Sequence, residues 1–104
     1  MGGAILLALW TAGTAGQPVK IVASKDGFHP QTVTIRKGET VRLVLSTADE
    51  EHCFAVDSLR IEKRLLPGKT VTVDLFLEKA GSFPFHCCLE PGAQGIHGEL
   101  KVTD

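Results

Sequence analysis

Apolar and polar side chains alternate along most of the chain in short runs that turn residues separate. A two-residue period places every second side chain on the same face, which is typical of a half-buried strand. In the run 70–77 the alternation predicts that four side chains face a core, namely Val71, Val73, Leu75 and Leu77. The other four face away from it, namely Thr70, Thr72, Asp74 and Phe76. We find no amphipathic helix of useful length.

About eight strands follow from this pattern. The turns between them, such as 37–39 and 67–69, contain Gly38 and Gly68, which adopt the backbone angles that a chain reversal requires. The predicted strands are 19–24, 32–36, 40–46, 53–56, 59–65, 70–77, 82–87 and 99–102. Short strands at this spacing predict an all-β fold, either an antiparallel sandwich or a small barrel.

The first sixteen residues differ from the rest of the chain. An apolar stretch at 4–10 precedes a string of small residues at 11–16, as in an export signal, although no Lys or Arg comes before them. The stretch is shorter than the roughly 20 apolar residues that cross a bilayer, so we predict no membrane-spanning segment. We divide the chain into a signal-like leader or disordered arm, 1–16, and one domain, 17–104, and expect a periplasmic or otherwise exported protein.

Composition and charge narrow the classes of partner. The 104 residues are 43% hydrophobic and suffice for one domain. The 11 Lys and Arg residues nearly balance the 12 Asp and Glu residues, so we expect no nucleic-acid partner. The acidic stretch 49–51 is predicted to be a solvated loop. Because Trp10 is the only Trp and Tyr is absent, the aromatic core is expected to come from the five Phe residues.

The last third of the chain carries the candidate chemistry. Cys87 ends a predicted strand and precedes a loop, and a thiolate followed by further donors in a short loop can surround a metal with few residues. Another donor must come from elsewhere, and His52, just before an apolar strand, is the candidate. His86 precedes Cys87, so the alternation directs its side chain to the opposite face. Catalytic triads and phosphate-binding loops are not found in the sequence.

Cys53 and Cys88 each adjoin one of these candidates, so both are expected to point away from the metal. Our favoured interpretation is two independent buried thiols. The alternative is a disulfide between them in an oxidising compartment, which would leave Cys87 for the metal and account for the odd number of cysteines.

Five short segments stand out along the domain, namely Gly27-Phe28-His29-Pro30, Lys37-Gly38, His52-Cys53-Phe54, Leu66-Pro67-Gly68-Lys69 and Ala80-Gly81-Ser82-Phe83-Pro84-Phe85-His86-Cys87. In these segments the chain resembles the cupredoxins, which are Greek-key β-sandwich copper proteins, and the resemblance covers about residues 18–103. It implies a Greek-key β-sandwich with a copper site. The part from His52 to Ile61 is also similar to the copper domain of cytochrome oxidase subunit II, but the second cysteine of that domain falls on Pro91.

The resemblance also implies a set of ligands. The family's upstream histidine falls on His52, its thiolate on Cys87 and its loop histidine on Glu90. The axial methionine falls near Ile96, which has no donor atom, and His97 is the neighbouring replacement. The expected mononuclear site is therefore His52, Cys87, Glu90 and His97. This loop is most similar to that of nitrosocyanin, a red copper protein whose site has one Cys, two His and one Glu. Two positions are exchanged, because nitrosocyanin has Glu where this chain has His52 and His where this chain has Glu90. His29 matches a structural position and is not expected to be a ligand.

The implied function is electron transfer or copper redox chemistry with one copper ion per chain and an unidentified redox partner protein. A carboxylate donor favours Cu(II) over Cu(I), which predicts a low reduction potential. Zn(II) is a second candidate occupant, since the same donors satisfy a tetrahedral site. The alternatives are a periplasmic copper carrier or sensor, a small-molecule redox enzyme at an open copper position, and a sandwich without metal. A homo-oligomer is expected only by analogy with nitrosocyanin.

Overall fold

The computed structural model describes residues 18–89 and 95–104, which form two β-sheets. The strands are β1 (Pro18–Ser24), β2 (Gly27–His29), β3 (Thr32–Arg36), β4 (Thr40–Thr47), β5 (His52–Val56), β6 (Ile61–Leu65), β7 (Val71–Phe76), β8 (Gly81–His86) and β9 (His97–Thr103). One sheet has the order β2-β1-β4-β7 and the other β3-β9-β8-β5-β6. The all-β sandwich expected from the sequence is confirmed. The predicted leader, 1–16, lies outside the described residues.

Besides shifts of one or two residues at the ends of other strands, the strands differ from the predicted ones in two places. β2 was not predicted, because three residues are too few to show an alternation; it pairs with β1 through Val22 and His29. The predicted strand 59–65 begins late, because Asp57–Leu59 form a turn of 3-10 helix. Arg60 follows it in the left-handed conformation, with φ of 58°, and β6 starts only at Ile61.

The sheets are mixed and not purely antiparallel. β1 runs parallel to β4, and β3 runs parallel to β9, while the other neighbouring strands are antiparallel. A parallel pair requires a crossover connection, since a tight turn can join only antiparallel neighbours. The hydrophobic pattern identifies strands and not their partners, so the expectation of an antiparallel arrangement was wrong at these two pairs. Within the described residues, no helix is long and apolar enough to cross a membrane.

Three phenylalanines from both sheets form the centre of the core. The Phe28 ring lies 6.0 Å from that of Phe54 and 5.0 Å from that of Phe85, and the last two rings are 4.8 Å apart. Phe83 is half-buried, and Phe76 is 55% exposed, so the expectation of a core from all five Phe residues was wrong. The alternation predicted for 70–77 is confirmed for β7, in which Thr72, Asp74 and Phe76 are exposed.

Gly98 allows the Phe85 ring to lie directly against β9. The two residues are opposite each other in the β8–β9 ladder. A Cβ atom at position 98 would collide with the Phe85 ring and with the carbonyl oxygen of Gln31. That carbonyl is held in place, since it accepts a hydrogen bond of 2.9 Å from the Glu99 N–H. The absence of a side chain is therefore a packing requirement of the core.

We expect Gly98→Ala to lower the free energy of unfolding by about 1–3 kcal/mol, the usual cost of overpacking a core. Urea denaturation of the purified protein measures this change. The matched control is Phe85→Leu, alone and combined with Gly98→Ala. Because a smaller side chain relieves part of the collision, the double variant should lose less stability than the sum of the single losses. Unchanged stability in Gly98→Ala would contradict this account of the core.

Candidate metal centre

His52 and Cys87 face each other inside the sandwich. His52 is the first residue of β5 and is 2% exposed, and Cys87 directly follows β8 and is fully buried. The pairing of Ala55 with His86 makes β5 and β8 antiparallel neighbours, so the start of one strand lies beside the end of the other. His52 Nδ1 is 3.9 Å from Cys87 Sγ.

Asp49 determines which nitrogen of His52 faces the sulfur. Asp49 Oδ1 is 2.8 Å from His52 Nε2. An ionised carboxylate can only accept a hydrogen bond, so Nε2 carries a proton, and in the neutral imidazole Nδ1 then presents its lone pair towards Cys87. A carboxylate behind an imidazole in this way is the usual orienting partner of a metal-binding histidine.

Asp49 is itself held by two backbone groups. The Lys25 N–H donates to Oδ2 at 2.9 Å, and the Glu50 N–H donates to Oδ1 at 2.6 Å. These two hydrogen bonds, with a smaller contribution from His52, lower the pKa of Asp49 to about 2. Asp49 therefore remains ionised at neutral pH. The predicted solvated loop 49–51 thus contains a residue that positions His52, which the sequence analysis missed.

The end of β8 directs neighbouring side chains to opposite faces. Phe85 and Cys87 are buried on the inner face, and the Cys87 N–H donates to the Ile96 carbonyl at 3.1 Å. His86 lies on the outer face, with Nε2 3.2 Å from both carboxylate oxygens of Asp57. The predicted separation of His86 from Cys87 is confirmed.

Among the described residues, His97, another of the predicted ligands, is not brought to this pair. Glu90 lies outside the described residues. His97 is exposed and pairs directly with His86, and residues paired in this way share a face of the sheet. Its side chain is therefore on the outer face, and among the described residues it does not complete a group of three donors with His52 and Cys87. Ile96, which packs against the core, precedes it.

Cys53 and Cys88 form a disulfide, with their Cα atoms 5.3 Å apart. The favoured interpretation of two independent thiols was wrong, and the alternative that left Cys87 unpaired is the one observed. The β5–β8 register explains the result. It pairs residue 55 with residue 86, so two further steps in opposite directions bring 53 opposite 88. Both side chains then lie on the outer face, away from the pair formed by His52 and Cys87.

The buried pair fits a thiophilic transition metal. Thiolate sulfur and imidazole nitrogen are donors that suit copper and zinc. The two donor atoms are 3.9 Å apart, which is close enough for one metal ion to be bound by both, with bonds of about 2.0 Å to nitrogen and 2.3 Å to sulfur.

A family model described as a cupredoxin-like domain matches residues 1–102. The chain belongs to this family. No curated protein sequence matches the chain significantly.

Solved structures show the same fold at low sequence identity. The periplasmic domain of cytochrome oxidase subunit II of Bradyrhizobium japonicum is 14% identical, with a TM-score of 0.75 over 90% of this chain and 88% of that one. The metal-binding domain of the Cu(I)-exporting ATPase CopA of Streptococcus pneumoniae, with Cu(I), is 15% identical, with a TM-score of 0.76 over 90% and 92%. Auracyanin of Roseiflexus castenholzii is 17% identical, with a TM-score of 0.68 over 88% and 100%.

The pKa of Asp49 predicts an acid dependence of the stability of this cupredoxin-like domain. Because folding lowers this pKa from 3.8 to about 2, ionised Asp49 stabilises the fold above pH 3.8, and the effect is lost as the pH falls through 2. We expect Asp49→Asn to lower the Tm of the metal-free protein at neutral pH and the difference to shrink between these two values. Thermal melting at several pH values measures it, with exposed Asp26→Asn as the control. A difference that stays constant down to pH 2 would contradict the assignment.

Proposed function

We propose that this domain binds one copper ion between His52 and Cys87 and functions in electron transfer or copper redox chemistry. The observation that carries the proposal is the approach of His52 Nδ1 to within 3.9 Å of Cys87 Sγ in a buried place. Membership of the cupredoxin-like family supports copper as the occupant. The bound ion would supply the exchange of one electron between Cu(I) and Cu(II).

The residues around the pair have separate roles in this proposal. Cys87 provides a soft thiolate, and His52 provides an imidazole nitrogen whose lone pair Asp49 directs inward. The β-sandwich excludes water from both donors, since neither is more than 2% exposed. A fixed, dry environment of this kind limits the rearrangement that accompanies a change of charge at the metal.

Glu90 and His97 complete the proposed donor set. Glu90 comes three residues after Cys87 in the sequence. The backbone next to His97 is already joined to the site, because the Ile96 carbonyl accepts a hydrogen bond from the Cys87 N–H. Coordination by His97 requires its side chain to turn from the outer face of β9 towards the inner one. A carboxylate from Glu90 would favour Cu(II) and lower the reduction potential.

We also infer an exported, periplasmic protein that exchanges electrons with a partner protein. The Cys53–Cys88 disulfide supports an oxidising compartment, where such bonds persist. The leader-like pattern at 1–16 agrees with this inference.

A copper carrier is the second candidate function. Among the described residues, two donors come together at this place, the Cys87 thiolate and the His52 imidazole. Two such donors suffice for Cu(I) but leave Cu(II) and Zn(II) under-coordinated, which favours a carrier of Cu(I). Rapid transfer of the metal to a chelator, with slow redox cycling, would identify a carrier.

Titration with Cu(II), followed by visible absorption and electron paramagnetic resonance, tests the proposed site. We expect one copper per chain and an intense thiolate-to-copper band that disappears in Cys87→Ser. The double variant Cys53→Ser/Cys88→Ser is the matched control and should keep the band, because these sulfurs lie on the outer face. A wild-type protein without a visible band, or with Zn(II) bound in preference to copper, would refute the copper function.

Two further variants test the remaining donors. Glu90→Gln and His97→Gln should each change the energy of the band and the copper hyperfine splitting, because each removes a first-sphere donor. His86→Gln is the control for His97→Gln. His86 is paired with His97 across the β8–β9 ladder, and its replacement leaves all the proposed donors intact. Identical spectra for wild type and His97→Gln would remove His97 from the site.

A further inference from the structure

We propose that reduction of the Cys53–Cys88 disulfide creates a second metal site on the outer face of the five-stranded sheet, where the two cysteine sulfurs and the Glu62 carboxylate bind Zn(II). The site is separate from the pair formed by His52 and Cys87, because consecutive residues of a strand point to opposite faces. The inference goes beyond the proposed copper function and does not depend on it.

Three donor atoms already converge at this place. Cys53 Sγ, Cys88 Sγ and a carboxylate oxygen of Glu62 all lie within 4.8 Å of one another. Cys53 lies on β5, Glu62 lies on β6, and Cys88 lies two residues after the end of β8. The pairing of these strands therefore determines the spacing of the three donor atoms. Glu62 pairs with Ala55, two residues from Cys53 on the same face, which brings its carboxylate diagonally across the ladder.

Glu62 is available as a ligand. It takes no part in the ion pairs formed among residues 18–89 and 95–104. By contrast, Arg64, which is paired with Cys53, binds Glu51 at 2.7 Å. Glu62 is thus an exposed carboxylate beside two sulfur atoms, with no partner of opposite charge in the described residues.

The donor set suits Zn(II) better than Cu(I) or a hard cation. Thiolate sulfur and carboxylate oxygen are both ordinary zinc ligands, whereas Mg(II) and Ca(II) prefer oxygen alone and Cu(I) prefers sulfur. Three protein ligands leave one tetrahedral position for water.

The disulfide must first be reduced, and a dithiol is the reductant we propose. Cys88 is half-buried and Cys53 is fully buried, so an external thiolate reaches Cys88 Sγ. The new sulfur–sulfur bond forms at Cys88 as the old bond breaks, and the electron pair leaves on Cys53 Sγ. The second thiolate of the dithiol then attacks its own bound sulfur and releases Cys88. The dithiol becomes a disulfide, and the protein gains two electrons. Zn(II) displaces any protons on the two sulfurs to solvent.

The test uses the full chain carrying Cys87→Ser, so that Cys53 and Cys88 are its only thiols. The protein is reduced with dithiothreitol, freed of reductant without oxygen, and titrated with Zn(II) against a chromophoric chelator. We expect one Zn(II) per reduced chain and much weaker binding to the oxidised chain. Co(II) in place of Zn(II) should give intense thiolate-to-cobalt absorption only after reduction. Failure of the inner copper site would not affect these results, because its thiolate is absent.

Variants of Glu62 provide the sharpest comparison. In the reduced Cys87→Ser background, Glu62→Gln should weaken Zn(II) binding at least about tenfold. Glu39→Gln, the same change at an exposed residue of the β3–β4 turn, should leave it unchanged. Equal weakening by both variants, or by neither, would overturn the proposal. So would loss of the β-sheet circular dichroism signal on reduction, because the disulfide would then have only a structural role.

Discussion

The register between β5 and β8 is the constraint on which both the buried thiol of Cys87 and the Cys53–Cys88 disulfide depend. One pairing, Ala55 with His86, determines which neighbouring residues meet across the two strands. On the inner face it brings the start of β5 to Cys87, and on the outer face it brings Cys53 to Cys88. A shift by a single residue would exchange the two faces and place a buried histidine outside the core.

Aromatic packing keeps this register in place. Phe54 and Phe85 lie on β5 and β8, and Phe28 contacts both from the opposite sheet. Edge-on aromatic contacts of this kind add to the stabilisation that buried area provides. Gly98 allows the cluster to fit against β9, so the same packing also positions this last strand.

The sequence was informative wherever local periodicity carried the information. Alternation predicted, without knowledge of any partner strand, that His86 and Cys87 point to opposite faces. It could not predict the parallel pairs or β2, because strand pairing is a property of the whole sheet and a three-residue strand shows no period. The disulfide required the register itself, which no single segment contains. Asp49 was missed because its role arises from a turn that backbone N–H groups of Lys25 and Glu50 hold in place.

Burial of Cys87 has a consequence for the chemical durability of the chain. A thiol in an oxidising compartment is exposed to peroxides and to other disulfides, and the damage proceeds through solvent-accessible thiolate. Cys87 is fully enclosed by the sandwich, and its two possible bonding partners in the same chain are already joined to each other. The fold therefore protects this sulfur from disulfide scrambling and over-oxidation.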